Sequence, residues 1–127
     1  MIDPIFQSNN YEMARKLLDV SAQRHEAIAA NLANAETPGY HRVDVAPDFE
    51  RELKQRVANG GSLRGIEALN VSVAEDPAAR NFRPDGNNVE LEHELMAMSR
   101  NTMEYDYLTE IVSGNLKQLK LAIAGHL

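Results

Sequence analysis

The sequence predicts an all-α fold in which two long terminal helices form an antiparallel coiled-coil hairpin around a small irregular middle segment. Apolar residues recur at spacings of three and four at both ends of the chain, as they do along one face of a helix. Most glycines and prolines lie between residues 38 and 86, where they interrupt helices. Aromatics make up only 6% of the 127 residues, which argues against a thick globular core. The chain is therefore one discontinuous helical domain with an insert, divided at 1–36, 37–86 and 87–127.

The N-terminal segment predicts a helix that starts at Asn9 or Asn10 and ends at Asn34. The sequence Thr37-Pro38-Gly39 stops it, because proline disfavours helical geometry in the preceding residue and donates no N–H. A single apolar stripe follows the helix. Its positions are Tyr11, Ala14, Leu18, Ser21, His25, Ile28, Leu32 and Ala35.

The C-terminal segment carries the longer stripe and predicts a helix that starts after an N-cap at Asn87. Glu90 follows three residues later, the spacing of a capping box, and Gly125 is a natural stop. Alternating steps of four and three continue through more than four heptads. The positions are Leu91, Leu95, Met98, Thr102, Tyr105, Thr109, Val112, Leu116, Leu119 and Ile123.

The middle segment predicts a short helix and offers a β-hairpin. Residues 48–58 carry Phe49, Leu53 and Val57 at helical spacing. Residues 69–73 alternate like a strand, and residues 80–83 are available to pair with them.

Composition and motifs argue against an enzyme, a cofactor protein or a nucleic-acid binder. A net charge of −6 opposes binding to phosphates, and the chain has no cysteine. His93-Glu94 begins like a zinc-binding helix, but Ala97 stands where the second histidine is required. The acidic residues around Glu94 are best interpreted as a solvated surface. We expect no catalytic, cofactor or metal site and no small-molecule substrate.

The apolar residues outside the two stripes predict assembly with further helices. A two-helix coil leaves them uncovered, unless the middle segment folds over them. They are Leu17, Ala22, Ala29, Ala30, Ala33, Leu108, Ile111 and Leu121. The predicted assembly seam consists of Leu18, Ile28, Leu32, Leu91, Leu95, Met98, Tyr105, Val112, Leu116, Leu119 and Ile123.

Two segments carry a family resemblance. Residues 30–40, ANLANAETPGY, resemble the N-terminal signature of the bacterial flagellar axial proteins, which form the rod, the hook and the hook-associated structures. Residues 85–92, DGNNVELE, lead into the last helix and resemble the proximal-rod subunits of the flagellar basal body. Arg42, Asp44 and Phe49 also fall where that family has similar residues. The signature residues are Asn31, Asn34, Thr37, Pro38, Gly39, Tyr40, Asp85, Gly86, Asn87 and Asn88.

The resemblance implies a structural subunit of the periplasmic rod that stacks helically through its terminal helices. It also implies export without a cleaved signal by the flagellar type III apparatus. The expected partners are copies of the chain, other rod subunits, the adaptor between rod and membrane ring, and the export apparatus. A coiled-coil adaptor or secretion chaperone that binds a partner helix as a discrete dimer is the alternative.

The role of the signature asparagines stays open at the level of sequence. Asparagine is poor inside helices but favoured at helix ends, where its amide bonds free backbone groups. Asn31 and Tyr40 therefore either bond neighbouring subunits or only cap their own helix.

Overall fold

Within the part of the chain that the structure describes, the fold consists of three helices and one small sheet. The computed structural model describes the backbone of residues 4–59 and 65–124, and the side chains of residues 11–59, 65–66, 68–114 and 117. Among these residues, no helix has the length and apolar character that crossing a membrane requires. In chain order the elements are α1 (Pro4–Ala33), β1 (Val43–Val45), α2 (Asp48–Ala58), a 3₁₀ turn (Ile66–Ala68), β2 (Val73–Glu75) and α3 (Leu91–Ala124). Helix α2 lies where the sequence predicts it.

Helices α1 and α3 pack against each other in opposite directions. The Ser21 hydroxyl donates to Asn101 Oδ1 over 3.0 Å, and Asn101 Nδ2 returns a bond of 2.9 Å to the Ser21 carbonyl. Further along α1, Asn31 Nδ2 donates to Glu94 Oε2 over 3.2 Å. Since the later position on α1 meets the earlier position on α3, the two helices are antiparallel along this contact.

The face of α3 that meets α1 is not its most apolar stripe. Glu94 and Asn101 are buried on this face, and Ala97 is half-buried. Leu95 is 49% exposed, and Leu91 and Tyr105 are exposed as well. The expectation of close pairing with α1 within one chain is therefore wrong for Leu91 and Leu95, whereas Tyr105 borders the cleft between α3 and α1.

The remaining seam residues are buried, half-buried or outside the described residues. Ile28 is buried, and Leu18, Leu32, Met98 and Val112 are half-buried. The predicted seam positions Leu116, Leu119 and Ile123, together with Leu121, have side chains outside the described residues.

The middle segment packs on α1 and forms the main apolar core. Val20 of α1 is buried together with Phe49, Ile66 and Leu69, and Leu17 packs against this cluster. The alternative that the middle segment covers the faces off the stripe is therefore right for Leu17. The small residues Ala22, Ala29 and Ala33 stay exposed.

The two strands form an antiparallel pair that differs from the expected hairpin. Val43 lies opposite Glu75, and Val45 lies opposite Val73. Residues 80–83 form no strand, so the pairing predicted for them is wrong. The second strand, Val73–Glu75, pairs with β1 instead, and Leu69 is buried in the core and not paired in the sheet.

Helix α3 begins at Leu91, three residues later than an N-cap at Asn87 predicts. Asn87 is therefore not its N-cap. The first helical bond in this region runs from the Glu94 N–H to the Glu90 carbonyl over 3.0 Å. The side chain of Asn87 bonds the turn that follows α1 instead, as described below.

Candidate functional site

The two signature segments meet where α1 ends and α3 begins. Six of their side chains and neighbours form a cluster that we call the polar junction. Its members are Asn31, Tyr40, Arg42, Asn87, Asn88 and Glu94.

Asn87 holds the turn that follows the C-terminal end of α1. The side chain is fully buried, and its Nδ2 donates to the carbonyls of Asn34 (2.9 Å), Ala35 (3.1 Å) and Thr37 (2.9 Å). Its Oδ1 accepts the Val89 N–H over 2.7 Å. These three carbonyls belong to the turn that follows α1, so a residue at least 50 positions away in sequence fixes the path of the chain as it leaves the helix.

Asn31 joins α1 to the first strand. Its Nδ2 donates to the Val43 carbonyl (2.8 Å) and to Glu94, while its Oδ1 accepts the Val43 N–H (2.9 Å) and the Tyr40 hydroxyl (3.1 Å). Four bonds exhaust the capacity of a primary amide. Asn31 and Tyr40 are therefore engaged within the chain, but Asn31 does not cap its own helix. Asn34 does, since its Nδ2 donates to the Ala30 carbonyl over 2.8 Å.

Glu94 and Arg42 form a buried ion pair at the centre of the junction. The Glu94 side chain has no exposed area and accepts a bond from Arg42 Nε. Arg42 Nη1 also contacts Asp76 Oδ2 at 2.6 Å and Asp44 Oδ2 at 3.3 Å. The interpretation of Glu94 as part of a solvated acidic surface is therefore wrong, because a guanidinium and an amide from two other elements reach it.

The charges of the junction shift two pKa values. Burial lowers the pKa of Arg42, but its hydrogen bond to Glu94 and the charges of Glu94 and Asp44 outweigh burial, and the net pKa is raised. Burial raises the pKa of Tyr40, and the nearby Glu94 carboxylate raises it further. At neutral pH both side chains therefore keep their protons and remain donors.

Asn88 ties the start of the first strand to the loop before α3. Its Oδ1 accepts the Arg42 N–H, and its Nδ2 donates to the Ala79 carbonyl over 2.8 Å. The Asn88 N–H donates to the Tyr40 carbonyl over 3.4 Å. One side chain thus holds three segments of backbone together.

Two glycines allow the signature segments to approach each other. Gly39 and Gly86 adopt left-handed backbone angles, with φ of +76° and +87°, which side chains with a Cβ rarely adopt. The Gly39 N–H donates to the Asp85 carbonyl over 2.9 Å. A Cβ atom on Gly86 would lie 3.4 Å from Gly39 Cα, so the two backbones are in close contact.

The rest of the signature shapes the turns, and one residue outside it contributes. Thr37 Oγ1 donates to Asn34 Oδ1 over 3.1 Å, and Asp85 Oδ1 accepts the Asn87 N–H over 3.0 Å. Pro38 is exposed and lies in the turn directly after Thr37. Arg83 donates to the carbonyls of Ala35 and Val89. Sequence reasoning missed this role of Arg83, and only the closure of the loop reveals it.

The arrangement is suited to holding backbone in place and not to catalysis. Among the described residues, every buried side-chain nitrogen and oxygen has a hydrogen-bond partner. The described histidines, aspartates and glutamates include no group of three that could hold a metal ion. Buried polar groups that are fully paired make an arrangement rigid and specific.

Away from the junction, α3 exposes large apolar side chains, one of which, Tyr105, borders its cleft with α1. One set, which we call the leucine stripe, consists of Leu91, Leu95 and Tyr105. A second set, the methionine ridge, consists of Met96, which is 61% exposed, and Met103, which is 71% exposed. The positions of both sets differ from those of Glu94 and Asn101, so α3 carries apolar surface beyond its contact with α1.

Comparison with known proteins gives the class of this chain. Residues 20–41 match the family model described as flagella basal body rod protein. This match covers the second half of α1 and the first signature segment, including Asn31 and Tyr40.

Relatives over most of the chain identify the family more closely. The chain is 30% identical to the flagellar basal body rod protein FlgB of Escherichia coli (strain K12), over 81% of this chain and 84% of that protein. Identity to FlgB of Salmonella typhimurium is 30%, over 87% and 90%. Identity to FlgB of Cereibacter sphaeroides is 35%, over 80% and 84%. The chain therefore belongs to the family of FlgB, a structural protein of the basal body rod and not an enzyme.

Proposed function

We propose that the chain is a proximal-rod subunit that stacks helically through its terminal helices. The observation that carries the proposal is the leucine stripe, which stays uncovered beside a junction whose bonds are all satisfied within the chain. Contiguous exposed apolar surface marks interaction sites in soluble proteins. Its position on the last helix favours contact with the helices of neighbouring subunits.

The α1–α3 pair is the frame for these contacts. We propose that it continues as an antiparallel coiled coil once neighbours cover the leucine stripe and the predicted seam. Between the two helices lies an open cleft of about 520 Å³ that is lined by Leu18, Ala22, Tyr105 and Val112. Helices of copies of this chain and of other rod subunits would fill it.

The small core is compatible with export through the flagellar type III apparatus to the periplasm. Four residues, Val20, Phe49, Ile66 and Leu69, form its buried centre. A core of this size, among the side chains that the structure describes, unfolds at low cost. We propose that it travels unfolded, refolds around the polar junction, and then meets the rod subunits and the adaptor between rod and ring.

Electron microscopy of basal bodies tests the rod role. A strain without this gene should show membrane rings that lack a rod, and complementation should restore the rod. Intact rods in the deletion strain would contradict the proposal. A purified chain that forms a discrete dimer and binds one partner helix would instead support the coiled-coil adaptor.

A matched pair of substitutions tests the leucine stripe. Leu95→Asp places a charge on the stripe, whereas Val57→Asp makes the same change on α2, at a side chain with a similar exposure of 58%. The first should abolish rod assembly and the second should preserve it. Working rods with Leu95→Asp would remove the stripe from the assembly surface.

A further inference from the structure

The turn before α3 contains a sequence that is prone to a spontaneous chemical change. Asp85 is followed directly by Gly86. In an aspartyl-glycine sequence the backbone nitrogen of the glycine can attack the side-chain carboxyl carbon of the aspartate, because glycine has no Cβ and its backbone rotates freely. The second signature segment therefore contains a candidate site of backbone modification.

The modification needs water and no other reagent. A bond forms between Gly86 N and Asp85 Cγ, the nitrogen loses its proton, and the carboxyl group releases an oxygen as water. Addition of water to the resulting five-membered ring then breaks one of the two bonds between the ring nitrogen and a carbonyl carbon. When the bond to the main-chain carbon breaks, residue 85 becomes isoaspartate. The chain then continues through its side chain, with one more carbon atom in the main chain.

The folded turn opposes the first step at both reacting groups. The Gly86 N–H donates to the Arg83 carbonyl over 2.9 Å, so the nitrogen must give up this bond to attack. Asp85 Oδ1 accepts the Asn87 N–H over 3.0 Å and lies 3.7 Å from Arg83 Nε. The carboxylate must therefore leave two partners before the ring can close.

The first signature segment holds the backbone at the same place. The Asp85 carbonyl accepts the Gly39 N–H over 2.9 Å. A Cβ atom on Gly86 would lie 3.4 Å from Gly39 Cα, so the contact restricts the backbone rotation that ring closure requires. Asp85 itself is exposed, and water can reach it. Contact between the two segments, and not a lack of water, thus limits the reaction.

An isoaspartate at position 85 would in turn disrupt this contact. The additional main-chain carbon displaces Gly86 relative to Gly39, although the two backbones have little free space between them. The main-chain carbonyl that accepts the Gly39 N–H becomes a free carboxylate on a branch of the chain. Closure of the junction therefore opposes the modification, and the modification opposes closure of the junction.

We propose that Asp85-Gly86 is a site of isoaspartate formation controlled by the meeting of the two signature segments. The site reacts while the chain is unfolded and is protected once Gly39 and Gly86 are in contact. Chains that stay unfolded for long are thereby removed from the pool that can form the polar junction. This inference concerns the folding of the single chain and does not depend on the proposed rod function.

Peptide mapping by mass spectrometry tests the protection. The purified chain is kept at neutral pH with and without urea, and isoaspartate at position 85 is measured over time. We expect isoaspartate to form at least about tenfold more slowly in the folded chain, because the reaction must wait for the turn to open. Equal rates in the two conditions would overturn the inference.

A matched pair of arginine variants tests which contacts give the protection. Arg83→Gln removes the group beside the Asp85 carboxylate and the bonds to the Ala35 and Val89 carbonyls, whereas Arg80→Gln makes the same change at another exposed position. Without urea, Arg83→Gln should form isoaspartate about tenfold faster than the unchanged chain, because loss of these bonds opens the turn more often. Arg80→Gln should react at the unchanged rate, and in urea all three rates should agree.

The rate of Arg83→Gln in the absence of urea decides between the outcomes. If it equals that of the unchanged chain, the turn contacts do not protect the site and the inference is overturned. If the variant fails to fold, it should react as fast without urea as with it, and a slow rate would overturn the inference.

Refolding tests the second half of the proposal. Chain that has been kept in urea until part of it carries isoaspartate is returned to buffer and separated from unmodified chain. The modified chain should unfold at a lower urea concentration, and an unchanged midpoint would overturn the effect on the junction. Loss of rods from the gene deletion tests the rod function separately.

Discussion

The polar junction and the exposed apolar face of α3 differ in which side chains are buried: a carboxylate is buried in the first, and a leucine is exposed on the second. At the junction, Glu94 is fully buried and bonded to Arg42 and Asn31. One residue later, Leu95 is 49% exposed. A monomer that maximised its own stability would bury the leucine and expose the carboxylate. The difference indicates that the junction is completed within one chain, whereas the apolar face is left for neighbours.

The largest expected effect comes from removal of the buried carboxylate. Glu94→Ala leaves Arg42 without its central partner and Asn31 Nδ2 without one of its two acceptors, so we expect a loss of about 3–5 kcal/mol in the free energy of unfolding. Urea unfolding of the purified chain measures it. Glu92→Ala, at an exposed position on the same helix, is the control and should change stability by less than about 0.5 kcal/mol. Equal effects would mean that the ion pair does not hold the junction.

The next largest effect on stability is expected from loss of the Asn87 bonds to the turn after α1. Asn87→Ala leaves the carbonyls of Asn34, Ala35 and Thr37 without their shared donor, which should cost about 1–3 kcal/mol. Asn81 makes one exposed bond to Glu90, and Asn81→Ala should cost much less. Hydrogen exchange should also quicken at the end of α1 in the first variant only. Unchanged hydrogen exchange at the end of α1 in Asn87→Ala would contradict this role of Asn87.

Two glycine-to-alanine substitutions should have opposite signs. Gly86→Ala forces a left-handed φ on alanine and crowds Gly39, so we expect a loss of about 1–2 kcal/mol. Gly114 lies within α3 with no atom in the space that its Cβ would enter. Gly114→Ala should therefore stabilise the chain by about 0.5–1 kcal/mol. Thermal unfolding of both variants checks this, and the same sign for both would contradict the close contact at the junction.

The smallest effect concerns alkaline pH. Burial, and then the charge of Glu94, raise the pKa of Tyr40 above its ordinary value of 10.0. Its contribution to stability is therefore complete below about pH 10 and is lost as the pH rises through the folded-state pKa. Tyr40→Phe should lose less stability than the unchanged chain between neutral and strongly alkaline pH. Urea unfolding at each pH measures this. If the stability of Tyr40→Phe and that of the unchanged chain fell equally, the pH effect would come from other groups.

The elements of the fold could be predicted from the sequence because they depend on local pattern. Periodicity predicts both long helices, and α2 begins at Asp48 and ends at Ala58 as expected. The capping-box spacing of Asn87 and Glu90 is misleading, since the Asn87 amide bonds three carbonyls of the turn that follows α1. No local sequence pattern predicts that Asn87 bonds these carbonyls and not the N–H groups at the start of α3, because the carbonyls belong to a distant part of the chain.

The site could be predicted only in part, for the same reason. The signature residues were identified from the resemblance, but their bonding to one another requires the folded chain. Arg42 is part of the family resemblance, but its ion pair with Glu94 could not be predicted. Glu94 lies on a different face of α3 from the strongest apolar stripe, and periodicity points to that stripe. Periodicity ranks faces by hydrophobicity, whereas this chain packs α1 against the face with paired polar groups.

Amide hydrogen exchange in the free chain and in assembled rods tests the central claim most directly. We expect the amides of Arg42, Val43 and Asn88 to exchange slowly in both states. The amides of α3 around Leu95 and Tyr105 should gain strong protection only in the rod. Rapid exchange at Arg42 and Val43 in the free chain, or full protection around Tyr105 before assembly, would contradict the division into a self-contained junction and an open assembly face.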